Sequence, residues 1–72
     1  MHNLAKLHSI VRAEITGRDV VIQYYTICDV VVYAEIYDTS KRELIFVTKS
    51  YVLGYDNILE DIIKGVYESS RI

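Results

Sequence analysis

Apolar and polar positions alternate with a period of two along most of this chain, and in a strand such alternation sends successive side chains to opposite faces. From His8 to Tyr25, HSIVRAEITGRDVVIQYY, one turn signal interrupts it, Gly17-Arg18. That dipeptide suits a two-residue type II′ turn, which takes Gly first. The turn pairs Thr16 with Asp19, Ile15 with Val20, Ala13 with Ile22 and Val11 with Tyr24, and these pairs make one apolar face. On the other face Glu14 meets Val21, Arg12 meets Gln23 and Ile10 meets Tyr25, a mixed set. Leu4, Leu7 and Val11 also fit a short helix capped by Asn3, but the hairpin uses the residues from about Leu7 so well that strand is the better reading.

The next stretch, Asp19 to Asp38, contains no Gly and no Pro. Its even positions, Val20 through Ile36, stay apolar or nearly so from end to end. A two-residue hairpin inside it would exchange the buried face, and no exchange is visible. One long strand, bent near Thr26 to Asp29, keeps the phase. A three-residue loop at Ile27-Cys28-Asp29 would keep it too, but lacks the Gly such loops favour.

The polar run Asp38 to Glu43 then reverses the chain. Pairing its ends sets Ile36 against Ile45, Ala34 against Val47, Val30 against Tyr51 and Cys28 against Leu53. Lys49 misfits, falling opposite Val32 on the apolar side. Either its stem lies along apolar surface or a bulge shifts the register. After Gly54 the period changes: Ile58, Leu59, Ile62, Ile63, Val66 and Tyr67 form the stripe of an amphipathic helix. Asp56 or Asn57 caps it, Asn57 with Glu60 making a capping box. The fold class is α+β: an antiparallel β-meander of three to four strands, one of them long and bent, with one C-terminal helix packed on one face.

Composition adds a size constraint. The chain has 72 residues, a single domain (1–72) of a size that buries only about 60% of its unfolded surface. Domains this small lean on disulfides, metals or partners. Cys28 is the only cysteine, and His2 and His8 have no companions at zinc spacing. Oligomerisation or a partner is left as the support. The net charge of −2 argues against a binder driven by phosphate contacts. No apolar run has membrane-spanning length and no signal-peptide pattern opens the chain, so the expectation is a soluble, cytoplasmic protein.

One helix covers one face only. The other face carries Ile10, Val21, Tyr25, Ile27, Val31, Tyr33, Tyr37, Leu44 and Phe46 among scattered polar residues, a large area for a monomer to leave in water. Tyr and Phe beside Arg12 is an interface composition. The candidate interaction face is therefore Tyr25, Val31, Tyr33, Tyr37, Phe46 and Arg12, covered by a second copy of the chain, by another protein, or by both. The bland alternative is that Val, Ile and Tyr are there for strand propensity alone. Cys28, beside Asp29 and pointing inward by parity, reads as a buried structural thiol, and the helix acids Glu60, Asp61 and Glu68 as a solvated face. Gly17, Gly54 and Gly65 are isolated and make no phosphate loop. No catalytic, metal or cofactor constellation is present. The function this predicts is a non-enzymatic interaction module, homo-oligomeric, that modulates or inhibits a protein partner, as compact viral and phage proteins do to host defences. The alternative is a single-stranded nucleic-acid binder stacking bases on Tyr25, Tyr33 and Phe46, with Arg12 and Lys49 near the backbone.

Overall fold

A computed structural model of the chain describes residues 4–49 and 57–69. Strands β1 (Lys6–Ile15), β2 (Arg18–Ile27), β3 (Val30–Asp38) and β4 (Glu43–Val47) are followed by helix α1 (Ile58–Ser69). The strands form one antiparallel sheet in the order β1-β2-β3-β4, a meander as expected. Strand, not helix, occupies the chain from Lys6.

The first hairpin turns one residue earlier than the Gly signal suggested. Its loop is Thr16-Gly17, with Ile15 opposite Arg18 and Ala13 opposite Val20. Thr16 and Gly17 have φ of 51° and 79°, the double left-handed conformation of a type I′ turn, whose twist matches that of the strands. A II′ turn would have asked for positive φ at its first residue only. The shift moves each partner by two places, so Ala13, Val20 and Ile22 still share a face.

The long bent strand is overturned. Residues 19–38 hold two strands joined by Cys28-Asp29, with Ile27 opposite Val30. Cys28 and Asp29 adopt φ of 51° and 65° without a glycine between them, a conformation that costs L-residues roughly 1–2 kcal/mol each. The expected exchange of faces does occur at this turn. It is undone at once, because Thr26 pairs with Val31 while Tyr25 pairs with Tyr33. Val32 is thus the extra residue of a β-bulge, and beyond it the even positions of β3 again point inward.

The third reversal is as read, with Asp38 opposite Glu43. The Asp38 carbonyl accepts from the Arg42 amide at 2.8 Å and its Oδ1 from the Lys41 amide at 2.9 Å. A second bulge follows: Tyr37 pairs with Leu44 but Ile36 with Phe46, leaving Ile45 extra. This answers the Lys49 misfit. Thr48, not Lys49, takes the buried place, its amide donating to Ala34 O at 3.0 Å and its Oγ1 accepting from Ala34 N at 2.9 Å. The pairings of Val30 with Tyr51 and Cys28 with Leu53 lie outside the described residues, as do Gly54 and Asp56.

The core lies between sheet and helix: Val20, Ile22, Ala34 and Ile36 meet Ile58, Ile62 and Val66. Asn57 directly precedes α1, and its carbonyl accepts from the Asp61 amide at 3.2 Å. Only half of the helix stripe is covered, since Leu59, Ile63 and Tyr67 are 61%, 50% and 53% exposed. Gly65 explains the lean. A Cβ there would overlap the Phe46 ring, so the helix rests its Gly65 side on β4 and turns its Leu59–Ile63 side outward. Arg18 braces the other end. Its Nε and Nη2 each lie 3.1 Å from Asp38 Oδ2, and its Nη1 donates to Ser69 Oγ at 3.3 Å. Since α1 has no basic residue in its last turn, this guanidinium supplies the cation that the negative end of a helix favours. The Lys41 amide, and then Arg18, hold the Asp38 carboxyl below the usual carboxylate range against the opposing push of burial.

Candidate interaction face

With α1 on one side of the sheet, no other described element covers the opposite side. Cross-strand partners share a face, so the register assembles that side directly. The pairs Ile10–Gln23–Glu35–Val47 and Arg12–Val21–Tyr37–Leu44 run across the four strands, with the Tyr25–Tyr33 pair beside them. At its margins Ile10, Leu44 and Val47 are 59%, 50% and 47% exposed.

At the centre three tyrosines and a glutamate are tied together. Tyr25 and Tyr33, directly opposed on β2 and β3, stack with ring centroids 4.7 Å apart and planes at 13°. The Tyr25 hydroxyl donates to Glu35 Oε1 at 2.8 Å, with Gln23 Oε1 at 3.3 Å, and the Tyr37 hydroxyl donates to the same Glu35 Oε1 at 3.1 Å. A carboxylate accepting from a phenol favours the phenol's neutral form. The Glu35 hydrogen bond, assisted by burial and by the Glu35 charge, accordingly pushes Tyr25 up to about 12 and raises Tyr37 as well. The consequence is mechanical as well as electrostatic. The Tyr25 and Tyr37 rings, which would otherwise sample rotamers on an open sheet, are anchored at both ends, by the strand and by Glu35, and Tyr33 is stacked on Tyr25.

Of the residues singled out from the sequence, Tyr25, Tyr33 and Tyr37 come together here. Arg12 lies at the β1 margin, its side chain 71% exposed and 4.0 Å from Asp19, an exposed pair worth little by itself. Val31 and Phe46 do not belong to this face. The Val32 bulge turns Val31 toward the helix side, and the Ile45 bulge does the same to Phe46, so both pack against the core. In place of Phe46, Val47 joins the open face. Glu35, one of the scattered polar residues of this face, organises the cluster. Its signal was in plain view, since Tyr33, Glu35 and Tyr37 stand two residues apart on one strand.

Cys28 is a further correction. It is exposed, at the tip of the β2–β3 turn, not buried in the core. It borders an open depression with Leu4, Lys6, Thr26, Ile27 and Asp29. His8 is exposed at a bulge in β1. Glu60 and Glu68 face outward as read, while Asp61 is half-buried in a cleft with Lys49, Lys64 and Glu68 between α1 and β4. Among the described residues no three His, Cys, Asp or Glu side chains group as metal ligands, and no helix is long and apolar enough to cross a membrane. In comparison with known proteins, the chain matches no family model, no curated protein and no solved structure.

Proposed function

We propose that this chain is a non-enzymatic protein-interaction module that binds and modulates another protein through its open sheet face, in the cytoplasm and without a cofactor. The observation that carries the reading is the Tyr25–Tyr33–Glu35–Tyr37 cluster, set in an apolar face that no described element covers. Tyrosine is among the residues that dominate interface energetics. Rings already held in place lose less side-chain freedom on binding, which leaves more of the contact energy as affinity. The partner this face suits is an apolar surface with a basic group opposite Glu35.

Single-stranded nucleic acid fits less well than it did from the sequence. Phe46, one of its three stacking rings, lies on the other face, and a carboxylate sits among the remaining phenols, where it repels phosphate.

The test is site-specific trapping. A photo-crosslinking residue at Val47, on the margin of the face, should capture a defined protein from cell extract. Adding Tyr33→Ala and Tyr37→Ala should empty the trap while leaving the circular dichroism unchanged. Equal yields with and without the two tyrosines, zero included, would overturn the reading.

A further inference from the structure

The cluster at the centre of the open face has spent its donors on itself. The Tyr25 and Tyr37 hydroxyls both donate to Glu35 Oε1, at 2.8 and 3.1 Å. A phenol has one O–H to give and keeps lone pairs that accept, and an ionised carboxylate only accepts. Glu35 Oε2 takes no hydrogen bond from a described residue. Acceptors are what the cluster still has to offer: Glu35 Oε2, the two phenolic oxygens, and Gln23 Oε1, 3.3 Å from the Tyr25 hydroxyl. An occupant that completes the set must bring donors.

Charge restricts which donors suit it. Of the charged residues in the four strands, the register sets Glu14, Asp19 and Glu35 on the open face with one base, Arg12. Arg12 lies 4.0 Å from Asp19, and among the described residues no cation pairs with Glu35. The Glu35 charge thus stands uncompensated among aromatic rings, where a lowered dielectric strengthens its pull on a cation. An anion is repelled there, and a neutral donor leaves the charge unanswered. Between the two cationic side chains, shape decides. A lysine ammonium is a compact, strongly hydrated point charge. An arginine guanidinium is flat, weakly hydrated, carries five donors in a fork and stacks on aromatic faces. The Tyr25 and Tyr33 rings already form a stack, with centroids 4.7 Å apart and planes at 13°. A flat cation extends that stack by one layer while its edge meets the acceptors. Val47 opposite Glu35 and Leu44 opposite Tyr37, both half-exposed, offer apolar surface to an arginine stem.

We propose that the open face recognises an arginine side chain presented by a partner protein, its guanidinium laid against the Tyr25–Tyr33 pair and donating to Glu35 Oε2 and the phenolic oxygens. This rests on the sheet face being the binding face and names the group that it takes. Glu35 then acts twice: Oε1 fixes the rings, and Oε2 meets the charge of the partner.

The experiment is a nuclear magnetic resonance titration of the intact chain with capped peptides Gly-Leu-X-Leu-Gly, in which X is arginine, lysine or citrulline, the uncharged isostere of arginine. The arginine peptide should shift the ring protons of Tyr25 and Tyr33. It should bind about tenfold tighter than the citrulline peptide, and several-fold tighter than the lysine peptide. Glu35→Gln keeps an acceptor for the phenols and removes the charge, so it should bring the arginine peptide down to the level of citrulline. Circular dichroism checks that the variant is folded. Equal affinity for arginine and lysine overturns the proposal, as does an arginine preference that survives Glu35→Gln. Shifts confined to residues outside the cluster, or no binding by any peptide at millimolar concentration, overturn it as well. In all these cases tyrosine-dependent capture at Val47 would leave the binding function standing, with a partner that meets the face without an arginine. A dimer of the free chain that Glu35→Gln dissolves also overturns the proposal, because a second copy would then occupy the face.

Discussion

The residue on which the open face depends is Glu35, and its effect is measurable through its neighbours. Tyr25 titrates near 12 because its neutral hydroxyl donates to the Glu35 carboxylate. A folded-state value above the ordinary 10 of tyrosine means the fold favours the protonated phenol. That contribution to stability is complete below pH 10 and is lost as pH rises through about 12. Tyr37 acts in the same direction. Replacing the carboxylate by an uncharged amide in Glu35→Gln should bring the Tyr25 titration back toward 10 and flatten the loss of stability between these limits. Ultraviolet absorbance of the phenolates against pH reads the first effect, and thermal unfolding at alkaline pH reads the second. An unchanged titration would mean that Glu35 does not hold the rings. Single residues were also where the sequence was hardest to read. Parity sends Cys28 to the core, but parity has meaning only inside a strand, and Cys28 is in a turn. Alternation places Val31 and Phe46 on the wrong face because each lies next to an extra residue that it cannot reveal.

At the scale of elements the reading went further, because faces survive changes that move pairings. A two-residue turn exchanges the buried face and a one-residue bulge exchanges it back, so Cys28-Asp29 and Val32 together leave the hydrophobic pattern of a single straight strand. Without a Gly or an Asn at the turn, only Asp29 marks the reversal locally, and a single Asp is a weak signal. The helix was legible because its period differs from that of the strands, but how far it would roll was not. That depends on the contact between Gly65 and Phe46, residues nineteen positions apart in the sequence. Gly65→Ala tests the contact. On an open helix the change would be stabilising by about 1 kcal/mol. Here the new methyl meets the Phe46 ring, and overpacking of that kind costs roughly 1–3 kcal/mol, so Gly65→Ala should be neutral to destabilising by up to about 2 kcal/mol. In a Phe46→Leu background, where the ring is gone, the same substitution should become favourable. A double-mutant cycle by chemical denaturation measures the difference. Additive effects would show that the ring does not set the seat of the helix.

For the whole molecule, two faces of one sheet carry different physics. The helix-side face holds the fold, with Val20, Ala34 and Ile36 at 0% exposure beneath Ile62 and Val66. The open face holds residues of similar bulk in a half-exposed, hydrogen-bonded array. Its size was legible from the odd positions of β2 and β3, but what it contacts was not, because the alternation of apolar and polar residues along one chain does not encode that. The distinction predicts how substitutions divide. Ile36→Ala leaves a cavity under the helix and should cost about 2–5 kcal/mol. A domain this small has only on the order of 4–11 kcal/mol of total stability, so that change should visibly lower the unfolding midpoint. Tyr33→Ala removes a stacked ring from the surface and should cost about 1 kcal/mol. The order reverses for binding. Tyr33→Ala should abolish partner capture in a protein that remains folded, while Ile36→Ala should reduce capture only in step with the folded fraction. Denaturation midpoints measured beside trapping yields for the two variants decide the matter. If Tyr33→Ala proves as destabilising as Ile36→Ala, the tyrosines belong to the scaffold. If it unfolds little and captures nothing, the tyrosines serve contact and not the fold.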